Sequence, residues 1–530
     1  METVHQLMEK QEKEILDGEF VYPRRSTKEH EGAKGSGEML RVSFVSASWI
    51  KRFSVCLSVQ LALCSYPAFS QMSQEELRRE RQETYEELRR TQDVSGGSNF
   101  IWRGLSNATG WEVDYGGWYA PQYTGGDNGT DRDKGTPDTL EHTWEHDWRF
   151  FLRITSATKK TNFYARLKTT MTYNKANTPA VDANDWALPT FDMFYMDFVR
   201  TGRTFKHTWT FGRQYAQVER GIGFGMVADG LRYEMASRRN EMQIFFMRQQ
   251  PGDDNVDATA AGWSTGRTKR WFYGLEWKWK LHPKFLNTGL SVLGNIDQNF
   301  EHADGGGQRH QLDSIYYGLG LSGNLTGRMS YWTQYIMESG KTYESGTSRK
   351  INLDADALDA GLRYFFPTAL APTLYLEYAA GSGDGDAAVG TSTTNGSTAG
   401  KDERFISFGG LSLGYAMAPQ LINLKVWKFG GSVKPFGWSR SRLWQELVVQ
   451  PTYYTYSKDK AGTAALPVPV PDVVATNPSK KLGSELDLTV AWRLAGDLKY
   501  QFKWGRFLPG AAYPTRSAES YVRLKLSLDL

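Results

Sequence analysis

Cysteine is almost missing from this chain: Cys56 and Cys64 are the only two in 530 residues. Both fall in one apolar stretch near the N-terminus. The remainder therefore has no disulfide framework, no thiolate-bound metal and no haem-attachment motif. Beyond that stretch there is no run of about 20 apolar residues, which excludes a polytopic helical membrane protein. An excess of one charge is missing too. The 63 Lys and Arg against 59 Asp and Glu leave +4, too little to imply nucleic acid, and there is no RRM, helix-turn-helix or zinc-finger spacing. What is plentiful is aromatic side chains, 14%, and glycine, 53 residues, in a chain of mean hydropathy −0.53. That content excludes a disordered chain and points to a β-rich protein.

The stretch holding the cysteines reads as a secretory signal. Lys51 and Arg52 give a positive start, Phe53 to Leu63 a short apolar core, and Ala68-Phe69-Ser70 a small-x-small cleavage site before Gln71. Such a segment is too short to span a membrane. It begins well inside the chain, so Met39 is the expected first residue, with a long leader as the alternative. The expected organisation is residues 1–48 as an over-long start, 49–70 as the signal, 71–98 as a charged periplasmic helix and linker, and 99–530 as the main domain. The segment 1–70 carries equal numbers of basic and acidic residues, so the exported chain keeps the +4. Within 73–92, Ser73 and Glu76 form a capping box. Leu77, Tyr85 and Leu88 give only a thin apolar stripe, the mark of a solvated helix through which a periplasmic partner would be met.

From about residue 111 the hydrophobic period becomes two. Trp148, Phe150, Leu152 and Ile154 alternate with Arg149, Phe151, Arg153 and Thr155. Trp271, Tyr273, Leu275, Trp277, Trp279 and Leu281 alternate with Phe272, Gly274, Glu276, Lys278 and Lys280, and the last strand sets Val522, Leu524, Leu526, Leu528 and Leu530 against Tyr521, Arg523, Lys525, Ser527 and Asp529. Strands of about ten residues, apolar on one face and polar on the other, with aromatics near the ends, predict an all-β fold: a transmembrane antiparallel up-and-down β-barrel. Short connections alternate with long ones rich in Gly, Asp, Ser, Thr and Asn, as short periplasmic turns and long extracellular loops require. The alternation fails once, between residues 404 and 456. The chain as a whole gives a count of about nineteen strands, one too many or one missed in that segment, so the expectation is about 18, with 16 as the alternative, because bacterial single-chain barrels are even-numbered. The Asp127, Asp131, Asp133 and Asp384, Asp386 clusters lack calcium-loop spacing and read as polar loop chemistry.

Two blocks resemble the alginate export family of outer-membrane barrels. One is Thr210-Phe211-Gly212-Arg213-Gln214 followed by Asp229-Gly230-Leu231-Arg232-Tyr233. The other is Leu482-Gly483-Ser484-Glu485-Leu486-Asp487-Leu488, then Phe507-Leu508-Pro509-Gly510 and a final amphipathic strand. The resemblance implies an 18-stranded monomeric barrel in the bacterial outer membrane, with a basic pore for an anionic polysaccharide. It implies the membrane's lipids and, through the C-terminal strand, the barrel-assembly machinery as partners. Leu530 departs from the aromatic last residue usual in that assembly signal.

Strand period places Arg149, Arg153, Arg166, Lys168, Lys278, Lys280, Arg363, Lys499, Lys503, Arg523 and Lys525 on lumen faces. Fewer acids are expected there: Glu276, Glu377, Glu485 and Asp487. The Gly-rich segment Gln217 to Val227 has no βαβ unit around it, so it is no dinucleotide fingerprint. It reads as a loop folding into the pore or as a kinked strand, with Arg213, Glu219, Arg220 and Arg232 lining a constriction. A basic lumen concentrates anions, and guanidinium groups match carboxylates bidentately, so the expected function is passive passage of an anionic solute. The competing reading of those residues is mutual neutralisation of Arg and Glu on neighbouring strands. Two other functions compete with a channel. One is a structural sleeve around a periplasmic protein. The other is an enzyme barrel, which the sequence disfavours because no G-x-S-x-G, no H-E-x-x-H and no nucleophile–base set occurs. No cofactor is expected. His142 and His146, on one side of an extended segment at about 13 Å, are too far apart for one metal.

Overall fold

The computed structural model describes residues 110–127, 141–175, 183–249, 270–282, 284–298, 311–344, 347, 349–386, 400–461, 477–514 and 517–529. The expected leader, signal and charged helix lie outside these residues, as do Asp131, Asp133 and the side chain of His142. Among these residues twenty strands form one sheet. The first half is β1 Glu112–Asp127, β2 Glu141–Thr155, β3 Thr161–Lys175, β4 Ala183–Trp186, β5 Thr190–Thr201, β6 Lys206–Gln217, β7 Gly225–Ala236, β8 Asn240–Gln249, β9 Arg270–His282 and β10 Leu286–Asp297. The second half is β11 Asp313–Thr326, β12 Met329–Tyr343, β13 Lys350–Phe365, β14 Thr373–Gly381, β15 Lys401–Asp402, β16 Leu424–Ser432, β17 Val448–Lys458, β18 Lys481–Arg493, β19 Leu498–Pro509 and β20 Glu519–Asp529. One short helix, α1 Arg442–Gln445, is found among the described residues.

β4 pairs only with β3, and β15 lies parallel to the start of β13. The other eighteen strands pair antiparallel with their chain neighbours, and β20 pairs with β1 to close the ring. Closure leaves the eighteen-strand ring without an edge, so its ladder N–H and C=O groups find partners without water, which the hydrocarbon interior demands.

The two faces differ as the alternation predicts. Phe150, Leu152, Phe194, Met196, Phe198, Phe246, Leu275 and Trp277 point outward and are exposed, a surface that acyl chains solvate. Aromatic groups gather near the short-turn rim: Trp277 stacks on Trp279 at 4.8 Å, and Tyr233 donates to or accepts from His207 Nδ1 at 2.8 Å beside Trp209. Such rings suit the membrane interface, where one end is apolar and the other wet.

The broken alternation between 404 and 456 has a structural cause. No barrel strand lies between Glu403 and Asn423; that segment leaves the wall and folds inward. The following short-side connection, Val433–Leu447, is long enough to contain α1 and so reads as a loop by length.

Candidate functional site

The lumen is where the structure departs most from an aqueous tube. Among the described residues two connections fold into it, residues 218–224 between β6 and β7 and residues 403–423 before β16. Their apolar side chains Val218, Ile222, Phe224, Phe405, Ile406, Phe408, Leu413 and Met417 form one core with inward residues of the wall, among them Phe245, Met247, Phe272, Leu293, Ile336 and Leu353. Each buried Phe of this kind contributes about 1.5–3 kcal/mol. The core therefore occupies the extracellular half, where these wall positions lie along their strands. Part of the signal for it is present in the sequence: β8 carries apolar residues on both faces, and the start of β13 sets apolar Ile351, Leu353, Ala355 and Ala357 against polar Lys350, Asn352, Asp354 and Asp356.

The two loops also join each other. Phe224 and Phe408 form a parallel bridge, Phe408 N donates to Gly223 O at 3.2 Å, and the Ser407 hydroxyl donates to Ile222 O. Gly409 is required at this crossing, because a Cβ there would collide with the carbonyl of Gly221.

Carboxylates on the wall hold the loops. Glu485 accepts the backbone N–H groups of Tyr415, Ala416 and Met417 at 2.6, 2.8 and 3.0 Å, and the Tyr456 hydroxyl at 3.1 Å. Glu338 accepts Ile406 N at 2.8 Å and the Tyr316 hydroxyl at 2.7 Å. Arg220 reaches across to Asp359 and, at 2.9 Å, to Glu377, with its guanidinium 4.5 Å above the Trp332 ring. Lys428 lies 3.4 Å from Glu377 on the other side. Glu219 N donates to Glu276 at 2.5 Å, while the Ser291 hydroxyl donates to the Glu219 carboxylate at 3.0 Å.

Glu219 sits on a connection, not on a strand. Burial first, and the facing charge of Glu276 second, push its carboxyl up to about 8; the Ser291 hydrogen bond and Lys278 oppose the rise. A raised value means that the docked loop holds a proton a released loop gives up. Docking is therefore favoured at acidic pH and loses stability as pH climbs from the ordinary value of 4.5 through about 8. Single-channel conductance is expected to rise over that window, and Glu219→Gln is expected to flatten the response. A wild-type conductance independent of pH there would refute the coupling.

The fourteen basic residues singled out from sequence do not share one environment. Arg149 is fixed to Asp147 by 2.7–3.0 Å bonds and lies 3.6 Å from Asp192. Arg166 is bidentate to Asp192 at 2.7 and 2.6 Å and fully buried. Lys278 pairs with Glu276 at 3.0 Å, Lys280 with Glu241 at 2.7 Å, Arg232 with Glu234 at 3.6 Å and Lys499 with Asp529 at 3.1 Å. Arg363 is buried, with its guanidinium 6.0 Å from the Trp332 ring. Arg213 corrects the expectation. It has the strand parity of Phe211 and faces Phe194 and Asp229 across the ladders, so it lies on the outer face. There it is bidentate to Asp229 at 2.7 and 3.0 Å. The two halves of the Gly-Arg-Gln and Asp-Gly motif are thus register partners that clamp one hairpin. His146 is likewise outward, its Nδ1 2.7 Å from the Tyr119 hydroxyl.

The expected shortage of acids is also corrected. Asp147, Asp192, Asp297, Glu338 and Asp359 join the four named from sequence, and these five are on inward ion pairs or loop anchors. Short alternating stretches such as Leu358-Asp359-Ala360 carried the parity but not the partner.

The remaining inward cations lie on one wall, β19, β20, β2 and β3. Arg153 stands 5.8 Å from the Tyr164 ring, Arg523 donates to the Gln501 amide at 3.1 Å, and Lys503 is 4.6 Å from the Tyr415 ring. Lys503 faces Arg523 and Gln501 faces Lys525 across the β19–β20 ladder, while Lys168 faces Arg149 across β2–β3. The Nε groups of Arg153 and Arg523 have no hydrogen-bond partner.

A closed eighteen-stranded ring, apolar outside, charged within and narrowed by inward loops, defines an outer-membrane channel barrel. The chain belongs to the alginate export family, whose profile matches residues 127–525. It is similar in fold to the crystal structures of Pseudomonas aeruginosa OccK8 (OprE), at 12% identity and TM-score 0.48, covering 79% of this chain and 98% of that one. OpdL of the same organism aligns at 10% identity and TM-score 0.48 over 79% and 99% of the two chains. OprD, also from P. aeruginosa, aligns at 10% identity and TM-score 0.46 over 78% and 94%. No curated protein matches the chain.

Proposed function

We propose that this barrel is a passive, anion-preferring channel for anionic saccharides or other small anionic solutes. The observation that carries this reading is the division of charge within the lumen. Carboxylates of β9, β12, β13, β14 and β18 are engaged in holding the two loops. The wall of β2, β3, β19 and β20 carries Arg153, Lys168, Lys503, Arg523 and Lys525, with Arg153 and Lys503 against tyrosine rings and Arg523 on the Gln501 amide. A low-dielectric channel lined on one side by cations concentrates anions. The signal proposed at residues 49–70 fits delivery to the outer membrane.

Reversal potential in a salt gradient across planar bilayers tests the reading. Wild type is expected to prefer chloride over potassium and to be blocked by an oligouronate. The Lys168→Glu, Arg523→Glu double variant is expected to lower the anion preference about tenfold. A cation preference in wild type would sink the proposal.

A further inference from the structure

Among the described residues, the connection Val433–Leu447 is the longest on the short-turn side. It is an ordered foot. Val433 bridges Val449, Lys434 N donates to Leu370 O at 2.8 Å in the neighbouring turn, and Ser439 N closes a turn on Phe436 O at 2.9 Å. Its α1 lies back against the outer wall: Trp444 stacks on Trp492 at 4.9 Å, and Trp492 Nε1 donates to Leu443 O at 2.7 Å. Trp492 shares the outward face of β18 with Leu486. Phe436 packs on Trp444 at 5.2 Å, and yet Phe436, Trp438, Leu443 and Trp444 all stay exposed, Trp438 at 65%. Lys434, Arg440 and Arg442 are interleaved with these rings, and Glu446 is the one acid of the connection.

We infer that this foot is a binding surface for anionic phospholipid headgroups of the periplasmic leaflet. Two observations favour lipid over a protein partner. The aromatic cluster is continuous with the lipid-facing wall through the Trp444–Trp492 stack, which fixes it at the depth of the interface. Cations beside indole rings match an anionic headgroup layer in charge, while the rings rest at the acyl boundary.

The test uses the folded full chain in phosphatidylcholine vesicles carrying a headgroup-level spin label on either phosphatidylglycerol or phosphatidylcholine. Fluorescence lost on Trp438→Phe substitution isolates the signal of Trp438. Quenching by labelled phosphatidylglycerol is expected to exceed that by labelled phosphatidylcholine about threefold. Arg440→Glu, Arg442→Glu is expected to abolish the difference while the barrel stays folded by its far-ultraviolet spectrum. Equal quenching by both lipids in wild type would overturn the headgroup preference. Absence of quenching would overturn the site altogether and assign the foot to the aqueous periplasm or to a second copy of the chain.

Discussion

Replacing Glu485 with Ala is expected to detach the long inward loop from the wall. Three backbone N–H groups and one tyrosine hydroxyl converge on this carboxylate. Alanine would leave the donors of Tyr415, Ala416 and Met417 without an acceptor in a buried setting. Each orphaned donor costs about 1–3 kcal/mol, so the docked arrangement is expected to lose on the order of 3 kcal/mol or more. The barrel ladder does not pass through the loop, and its strands are expected to remain paired. Single-channel conductance is therefore expected to rise several-fold, with faster hydrogen exchange over residues 413–417. Glu485→Gln keeps an acceptor and is expected to fall between the two. Unchanged conductance in the Ala variant would show that the apolar contacts of Leu413, Met417 and Leu421 hold the loop without it.

The second large effect is expected at Arg220. Its guanidinium lies between Asp359, Glu377 and the face of Trp332, and Asp359 is wholly buried. Arg220→Ala leaves two neighbouring carboxylates with Lys428 as the nearby cation. Removing one partner from a buried ion pair costs about 3–5 kcal/mol. The variant is expected to lower thermal stability and to release residues 218–224, again raising conductance. Arg220→Lys keeps the charge but not the fork that reaches two acids and stacks on an indole, and is expected to restore only part of the loss. A variant with wild-type stability and conductance would refute the latch. Because the two loops bridge through Phe224 and Phe408, the Glu485 and Arg220 effects are expected to be non-additive, each partly freeing the loop held by the other.

These effects could not be read from the sequence, although the wall could. Alternation placed Arg149, Arg153, Arg166, Lys168, Lys278 and Lys525 on inward faces because side-chain parity is a local property of extended chain. The same parity put Glu485 and Asp487 inside. Arg213 failed because it was assigned to an inward loop: β6 runs on to Gln217, so the residue still follows strand parity and lies with Phe211. Asp192 and Asp359 were missed for a different reason. Each acquires its meaning from a cation on another strand or on a distant loop, Arg166 in one case and Arg220 in the other. The strand count wavered where residues 403–423 carry apolar residues without forming a strand. Hydrophobicity there serves a core inside the barrel, and a one-dimensional pattern does not distinguish burial against a loop from burial against lipid.

By itself, then, the sequence determined the barrel, the outer-membrane setting and which face of most strands meets water, since these follow from a period of two, from aromatic placement and from loop length. Only the tertiary structure decided how the lumen is filled. That depends on where two loops cross, on Gly221 and Gly409 allowing the crossing, and on which carboxylates the loops engage. Those contacts join residues far apart in the chain, and their energies arise from burial and pairing that exist only once the ring has closed.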